Sequence, residues 1–237
     1  MSAQSSGVAS RTAVVLGGTS GIGKEIVKSM ASKGMNVILS GRTGESAHEA
    51  AKDIGLNTVG IAVDLADPDT IAGSLADIES LDYLVIPAIE RDANTIADYN
   101  IARAIRLVTL KLVGYAEAIH VLRERFTADG SIVLFGGLAL QRPYPGSTTV
   151  STVNGGVVGL VHSLTTELAP VRINAIHPGI VGDSPFWENK DNSHIVARTP
   201  LGRLVTMQEI VHSVEFLLEN SGVNGVNLAV DGGWLLK

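Results

Sequence analysis

The sequence predicts an α/β fold in which helices cover both faces of one doubly wound, parallel sheet of seven strands. Short, continuous apolar runs alternate with longer amphipathic segments along the whole chain. Strands that are covered on both faces have such continuous apolar sequences, and strand-helix alternation is typical of a parallel sheet. A glycine-rich turn also follows the first strand and opens a helix, as at the ligand-binding edge of doubly wound sheets.

The elements can be assigned in chain order. The predicted strands are TAVVLG, NVILSG, TVGIAVD, LDYLVI, SIVLFG, VRINAIHP and GVNLAVDGG. Helical spacing covers residues 23–34, 45–54, 69–80 and 93–125 between the earlier strands, and the run TTVSTVNGGVVGL follows the fifth strand. No repeat or linker divides the chain, so we expect one domain over residues 11–237 behind a loose arm of small and polar residues at 1–10.

Composition narrows the functional classes. The net charge is -6 without a block of like charges, which argues against nucleic acid and anionic membrane surfaces as partners. There is no cysteine, no apolar run of membrane-spanning length and no signal-peptide pattern at the start. We therefore expect a cytoplasmic protein without a metal site that binds a small-molecule substrate and copies of itself.

The stretch LGGTSGIG, Leu16 to Gly23, is the strongest functional motif. Its glycines allow a tight turn and a close backbone approach to a pyrophosphate, whose charge is stabilised by the N-terminus of the following helix. The motif predicts a nucleotide site at the first strand-helix junction.

Four motifs in order resemble those of the short-chain dehydrogenases/reductases. They are GGTSGIG, the pair Asp64-Leu65, the turn His177 to Gly179, and VDGG at Val230 to Gly233. The resemblance implies a Rossmann-type, seven-stranded sheet assembled as a homodimer or homotetramer. It also implies a nicotinamide cofactor held by Gly17, Thr19, Ser20, Gly21, Ile22, Gly23, Arg42, Thr43, Asp64, Leu65, Ala88, Pro178, Gly179, Val181 and Ser184.

The end of the second predicted strand indicates which cofactor is preferred. Sites that select NAD place a carboxylate there, but this sequence has Gly41 followed by Arg42 and Thr43. An arginine can hold the extra phosphate of NADP, so we expect NADP(H) to be preferred over NAD(H), unless Arg42 is simply a surface arginine. Ser184 matches the family threonine near the carboxamide, after a one-residue insertion.

The resemblance fails at the family's catalytic positions. The Tyr-x-x-x-Lys pair aligns with Val150 and Asn154, the serine with Gly137, and the helix asparagine with Lys111. Two interpretations stay open. The protein is an oxidoreductase whose reaction needs no phenol acid, such as reduction of an imine, an iminium ion or an activated alkene in a specialised biosynthetic pathway, or it is a catalytically silent subunit or cofactor-binding regulator of an active partner.

Three residues are candidates for replacing the missing acid. Lys111 is expected to face the site with a lowered pKa, unless it is a solvated helix lysine, and Tyr144 is either a proton donor or part of the pocket wall. Asp183 either orients a cationic substrate or faces water, and His162 and His177 are interpreted as structural. The expected substrate pocket consists of Leu138, Arg142, Tyr144, Phe186 and Trp187, the last two on a lid that spans residues 186–200.

The pair Gly155-Gly156 lies within a predicted helix, where each glycine costs roughly 1 kcal/mol relative to alanine. Close approach of a second helix would explain the pair. We expect the surrounding valines, Val153, Val157, Val158 and Val161, to form a contact between protomers.

Overall fold

A computed structural model of the protein describes residues 10–237, so all but the last residue of the predicted N-terminal arm lies outside the described residues. One parallel sheet has the strand order β3-β2-β1-β4-β5-β6-β7. Its strands are β1 (Thr12–Leu16), β2 (Asn36–Gly41), β3 (Thr58–Ala62), β4 (Leu81–Ile86), β5 (Phe126–Phe135), β6 (Arg172–Pro178) and β7 (Asn227–Val230). The predicted doubly wound fold is confirmed.

The helices occur between the strands, as the sequence pattern predicts. They are α1 (Gly21–Ser32), α2 (Gly44–Ile54), α3 (Pro68–Ser74), α4 (Ile101–Val108), α5 (Tyr115–Leu122), α6 (Thr148–Glu167), α7 (Ser193–Val196) and α8 (Met207–Glu219). Across residues 10–237, no helix combines the length and apolar composition that crossing a bilayer requires.

Two apolar cores hold the helices against the sheet. On one face, α1, α2 and α8 bury residues such as Ile26, Ala47 and Val214. On the other face, α3, α5 and α6 bury residues such as Ile71, Ile119 and Val157. Because both faces are covered, the central strands are apolar on both sides, which explains the continuous apolar runs of the sequence.

The segment predicted as one helix over residues 93–125 begins later and is not uniform. Residues up to Asn100 form a loop, because buried Asn94 accepts a hydrogen bond from the backbone N–H of Asn100 (2.8 Å) and the Asn100 side chain accepts one from Arg103 N (2.9 Å), which caps α4. A π-helical turn, Thr109–Gly114, then joins α4 to α5. Such turns bring side chains out of the regular helical register and are frequent at functional sites.

The strand order reverses between β1 and β4, which start the two halves of the sheet. Ligands of doubly wound sheets bind outside the carboxyl ends of the strands at this switch point. The loops that follow β1, β4, β5 and β6 therefore define the place where a functional site is expected.

Candidate active site

The glycine-rich loop adopts the close-packed geometry that a diphosphate cradle requires. Gly17 has a φ of +107°, and a Cβ on it would lie 2.9 Å from the backbone of Ala88, which follows β4. A Cβ on Gly23 would collide with the carbonyl oxygen of Gly17. Only glycine fits either position, and α1 begins directly behind the loop at Gly21, so its first N–H groups point toward the cleft.

The end of β2 carries no side chain at position 41, where a Cβ would require neighbouring side chains to shift. A Cβ on Gly41 would lie 2.6 Å from Ser46 Oγ and 2.8 Å from Thr19 Cγ2. The Thr43 hydroxyl caps α2 by accepting a hydrogen bond from Ser46 N (3.3 Å), and the neighbouring Arg42 side chain is 73% exposed. A hydroxyl, a helix N-terminus and an exposed guanidinium therefore lie together beside the glycine-rich loop.

Asp64 belongs to a charge network that the sequence analysis did not identify. Its Oδ1 accepts a hydrogen bond from Ala66 N (2.9 Å), and its Oδ2 pairs with Arg106 on α4 (3.2 Å). Arg106 also binds both carboxylate oxygens of Glu90, and Arg42 approaches the same carboxylate at 3.7 Å. The hydrogen bonds to Glu90 and Asp64 raise the pKa of Arg106, which holds these loops together as a cation.

Lys111 is enclosed in the protein and does not open onto the cleft. It lies on the π-helical turn with 1% exposure, and its Nζ donates hydrogen bonds to the carbonyl oxygen of Phe135 and to the Tyr115 hydroxyl (3.0 Å). The Tyr115 hydroxyl lies 2.9 Å from the carbonyl oxygen of Ile86 and 2.8 Å from that of Ala88. Lys111 and Tyr115 thus connect the carboxyl ends of β4 and β5.

Burial, without a carboxylate to compensate, lowers the pKa of Lys111 to about 7. The same burial raises the pKa of the Tyr115 phenol. The pKa of Lys111 is thus lowered, as predicted. Its ammonium group does not face the site, which differs from the prediction.

His177 fixes the loop after β5. The backbone N–H of Gly137 donates to His177 Nδ1 (3.1 Å), so the ring proton lies on Nε2, which contacts Asn227 Oδ1 (3.0 Å). Asn227 Nδ2 in turn lies 3.3 Å from His162 Nε2. Burial lowers the pKa of His177, and its two ring nitrogens are both engaged, in line with the structural role expected for it.

Helix α6 supplies no phenol and no ammonium group to the cleft, because its twenty residues include neither tyrosine nor lysine. Asn154 is buried, and its Nδ2 would lie 2.8 Å from a Cβ on Gly137, so these two positions adjoin. Val150, one turn earlier, is half-buried.

The paired glycines of α6 are explained within the chain. A Cβ on Gly156 would lie 2.6 Å from Leu112 Cδ2 on the π-helical turn. Val153, Val157 and Val161 are at most 1% exposed inside the protein. For these three valines the prediction of a contact between protomers is wrong, because they pack in the chain's own core. Val158, the fourth valine of the prediction, is half-buried, and for it the contact stays a prediction.

The turn after β6 places the predicted Pro-Gly segment beside the C-terminal motif. Gly179 N donates to the carbonyl oxygen of Val230 (2.9 Å), and a Cβ at Gly179 would collide with Asp231. Val181 is buried, and the Ser184 hydroxyl donates to its carbonyl oxygen (2.7 Å).

Asp183 contacts the start of α8. Its Oδ1 accepts a hydrogen bond from Met207 N (2.8 Å), the first residue of α8, where a carboxylate is favoured by the helix dipole. This hydrogen bond fixes the start of that helix, and Asp183 is exposed, as the alternative expectation has it. Its orienting of a cationic substrate stays a prediction.

The expected substrate-pocket residues divide into two groups. Leu138 is buried, and Arg142 is turned toward the C-terminal segment, where it donates to the carbonyl oxygen of Trp234 (2.6 Å) and stacks on its ring. Tyr144 is 54% exposed, and Phe186 and Trp187 pack edge to face with ring centroids 4.9 Å apart.

Glu90 and Arg91 were not identified from the sequence. They lie in the loop that follows β4, a few residues after its last residue, Ile86. Their position at the ligand edge of the sheet was available from the strand prediction. Their partners could not be predicted in this way, because Arg106, which pairs with Glu90, and Phe186, which contacts Arg91, belong to distant segments.

The comparisons with known proteins agree with this architecture. The family described as enoyl-(acyl carrier protein) reductase matches residues 17–235. The chain is 29% identical to the mouse 3-oxoacyl-[acyl-carrier-protein] reductase, over 94% of this chain and 97% of that protein. It is 30% identical to carbonyl reductase family member 4 of Xenopus laevis, over 94% and 98%. A crystal structure of a Brucella melitensis short-chain dehydrogenase/reductase, SDR:Glucose/ribitol dehydrogenase, superposes with a TM-score of 0.89 at 27% identity, covering 94% of this chain and 96% of that one.

A glycine-rich cradle at the switch point, a seven-stranded parallel sheet and full-length relatives define the class of protein. The chain belongs to the short-chain dehydrogenase/reductase family of oxidoreductases, which use nicotinamide cofactors.

Proposed function

We propose that the protein is an NADP(H)-dependent reductase of the short-chain type with an atypical active site, which acts on an imine, an iminium ion or an activated alkene in a specialised biosynthetic pathway. One observation carries the proposal. The cofactor cradle is intact at Gly17 and Gly23, whereas α6 contains neither a tyrosine nor a lysine to protonate a carbonyl oxygen.

The residues present fit a dinucleotide. The two glycines whose side-chain space is filled by backbone leave a cradle for a diphosphate, and the N-terminus of α1 stabilises its charge. A reduced nicotinamide bound along this edge supplies a hydride. Val181 and Ser184 would line the nicotinamide end, and Asp64, Leu65 and Ala88 the adenosine end.

Preference for NADP(H) is supported by the surroundings of Arg42. Position 41 is a glycine, so the end of β2 presents no carboxylate to the ribose, and a Cβ there would displace the side chains of Ser46 and Thr19. The carboxylate of Glu90, which would repel a ribose phosphate, is held by two hydrogen bonds from Arg106 Nε and one from Nη2. The exposed Arg42 guanidinium is thereby available to a phosphate.

The choice of substrate follows from the missing acid. Reduction of a ketone generates an alkoxide that must be protonated, whereas hydride addition to an iminium ion cancels a charge as the bond forms. The family's serine, tyrosine and lysine positions hold Gly137, Val150 and Asn154 in this chain. The asparagine supplies an amide, and the glycine and the valine supply no acidic proton. Lys111 and Tyr115 then act as positioning residues that hold the ends of β4 and β5.

A paired-substrate assay tests the proposal. NADPH consumption is followed with 2-methyl-1-pyrroline and with cyclopentanone, a ketone of the same ring size. The proposal expects consumption with the imine and at least about a hundredfold less with the ketone, the low end of what a missing general acid costs. Faster reduction of the ketone would contradict it. Tight NADPH binding without consumption by any imine or activated alkene would favour the alternative, a catalytically silent subunit or regulator of an active relative.

We propose further that the protein is a homodimer or homotetramer that uses the outer face of α4 and of the turn behind it. Ile101, Ile105 and Val113 are 66%, 60% and 49% exposed on this face. Exposed apolar side chains one helical turn apart, as Ile101 and Ile105 are on α4, are typical of protein interfaces. Light scattering over a dilution series measures the assembly state, and a stable monomer would refute this part of the proposal.

A further inference from the structure

Four charged side chains form one network across the loops that follow β2, β3 and β4. Arg106 on α4 donates from Nε to both carboxylate oxygens of Glu90 (3.0 and 2.8 Å) and from Nη2 to Glu90 Oε1 (2.7 Å). The same Nη2 lies 3.2 Å from Asp64 Oδ2. Arg42 Nη1 faces Glu90 Oε1 as well, but at 3.7 Å. Arg106 is thus bound to both carboxylates, whereas Arg42 only approaches one of them.

Backbone contacts hold this network beside the glycine-rich loop. Ala88, two residues before Glu90, donates from its N–H to the carbonyl oxygen of Leu16, where the glycine-rich loop begins (3.2 Å). Val63, in the loop after β3 that carries the second carboxylate, donates to the carbonyl oxygen of Gly41 at the end of β2 (2.8 Å). The charged side chains therefore stand on segments that contact the diphosphate cradle and the end of β2.

The charge balance of the network depends on Arg106. In the part of the chain that the structure describes, the cations within 4.0 Å of Glu90 are Arg106 and Arg42. If Arg106 were lost, Arg42 would be the cation left to pair with the freed carboxylate, and a shift of about 1 Å would bring the two groups to salt-bridge distance. A carboxylate beside the end of β2 also repels the extra phosphate of NADP(H), which is the way in which NAD-selecting sites exclude it.

We propose that Arg106 is a positioning residue that determines the choice of cofactor. By holding Glu90, it keeps the guanidinium of Arg42 open to the extra phosphate of NADP(H), and it does so without touching that phosphate itself. The inference rests on the proposed function in one respect, that the extra phosphate binds at Arg42. It makes the preference for NADP(H) depend on a side chain of α4, far along the chain from the end of β2.

Nucleotide binding without turnover tests this role. Calorimetry compares adenosine 2',5'-bisphosphate, which carries the extra phosphate, with AMP, which lacks it. The unaltered protein should bind the bisphosphate more tightly by about tenfold or more, because a charge-assisted contact to the phosphate is added. In Arg106→Gln the ratio of the two affinities should approach one, since Glu90 then pairs with Arg42. AMP binding should change by less than about threefold, because its phosphate is held by the glycine-rich loop.

A second variant separates positioning from direct contact. Arg106→Gln/Glu90→Gln leaves Arg42 without a competing carboxylate, so the ratio should return to within about threefold of that of the unaltered protein, as coupled partners require. Glu90→Gln alone should keep the preference for the bisphosphate.

The matched control is Arg103→Gln, which removes the same charge from an exposed position one turn earlier on α4. Arg103 takes part in none of the ion pairs among residues 10–237. Its substitution should leave the ratio unchanged.

The outcomes distinguish the inference from the proposed function. A preference for the bisphosphate that persists in Arg106→Gln would overturn the inference and leave the preference for NADP(H) intact. A double variant with as low a ratio as Arg106→Gln would overturn it too, because Arg106 would then act on the phosphate or on the fold and not through Glu90. Equal binding of both nucleotides by the unaltered protein would refute the NADP(H) preference in the proposed function, and the inference with it. Absence of hydride transfer would refute the reductase and leave these ratios measurable.

Discussion

Replacing Lys111 by methionine removes a buried charge that has no carboxylate partner. The side chain is 1% exposed, and burial lowers its pKa to about 7 from the ordinary 10.5. In the unfolded chain the amine stays protonated up to its ordinary pKa, whereas in the folded protein it loses its proton near neutrality. Between these values the unfolded state binds more protons, so the free energy of unfolding contributed by Lys111 rises with pH.

The magnitude follows from the same two values. Below about pH 7, burying the charged amine lowers the free energy of unfolding by at most roughly 5 kcal/mol. At pH 9 roughly 2 kcal/mol of this cost is left. The methionine variant also loses the hydrogen bonds to Phe135 and Tyr115, a loss that is nearly independent of pH. Relative to the unaltered protein, the variant should therefore gain about 2 to 3 kcal/mol on going from pH 9 to pH 6.

Urea denaturation at pH 6, 7.5 and 9, followed by far-ultraviolet circular dichroism, measures this difference. Lys52→Met, at an exposed position on α2, serves as the control and should show a difference that is constant within about 0.5 kcal/mol. Burial, the largest cause of the lowered His177 pKa, is common to all three proteins, whereas the smaller contribution from the charge of Lys111 is absent in Lys111→Met. A difference for Lys111→Met that is equally constant across the three pH values would refute the account of a buried, unpaired ammonium.

Three further predictions concern the cofactor site and the assembly. Arg42→Ala should weaken NADPH binding about tenfold or more and change NADH binding by less than about threefold, as measured by fluorescence titration. The reason is that the extra phosphate of NADP(H) is the one group of the cofactor that Arg42 is proposed to bind. An equal loss for both cofactors would contradict this role. Gly23→Ala should abolish binding of both cofactors and lower the melting temperature, since its Cβ would collide with the Gly17 carbonyl, whereas Gly34→Ala, at an open turn of positive φ, should affect stability alone; normal cofactor binding by Gly23→Ala would exclude the cradle. Ile105→Lys should shift the mass measured by light scattering toward that of the monomer, and an unchanged mass would exclude this face as the interface.

The sequence predicts the fold well because the buried part of each central strand is a continuous apolar run, although β5 begins five residues before its predicted run, in the polar stretch Phe126 to Gly130. The element that the pattern misjudged, residues 93–125, has helical spacing throughout, but side-chain hydrogen bonds of Asn94 and Asn100 override it locally. Competition between a side chain and the backbone depends on which partner is near, and a spacing pattern does not contain that information.

The candidate site was predictable only in part. The glycine-rich loop is a local motif, and its geometry is as expected at Gly17 and Gly23. The placement of Lys111 was not predictable, because the π-helical turn directs its ammonium toward the carbonyl of Phe135. Arg91 contacts Phe186 only because the loop after β4 folds onto the distant loop after β6.

The most direct test of the central claim is a titration of the purified protein with NADPH and with NADH, followed by quenching of Trp187 and Trp234. We expect dissociation constants in the micromolar range for NADPH, roughly −8 kcal/mol of binding free energy, and binding of NADH weaker by about tenfold or more. Tighter binding of NADH would contradict the role of Arg42. If the protein binds neither cofactor, the proposal that it is an NADP(H)-dependent reductase is wrong.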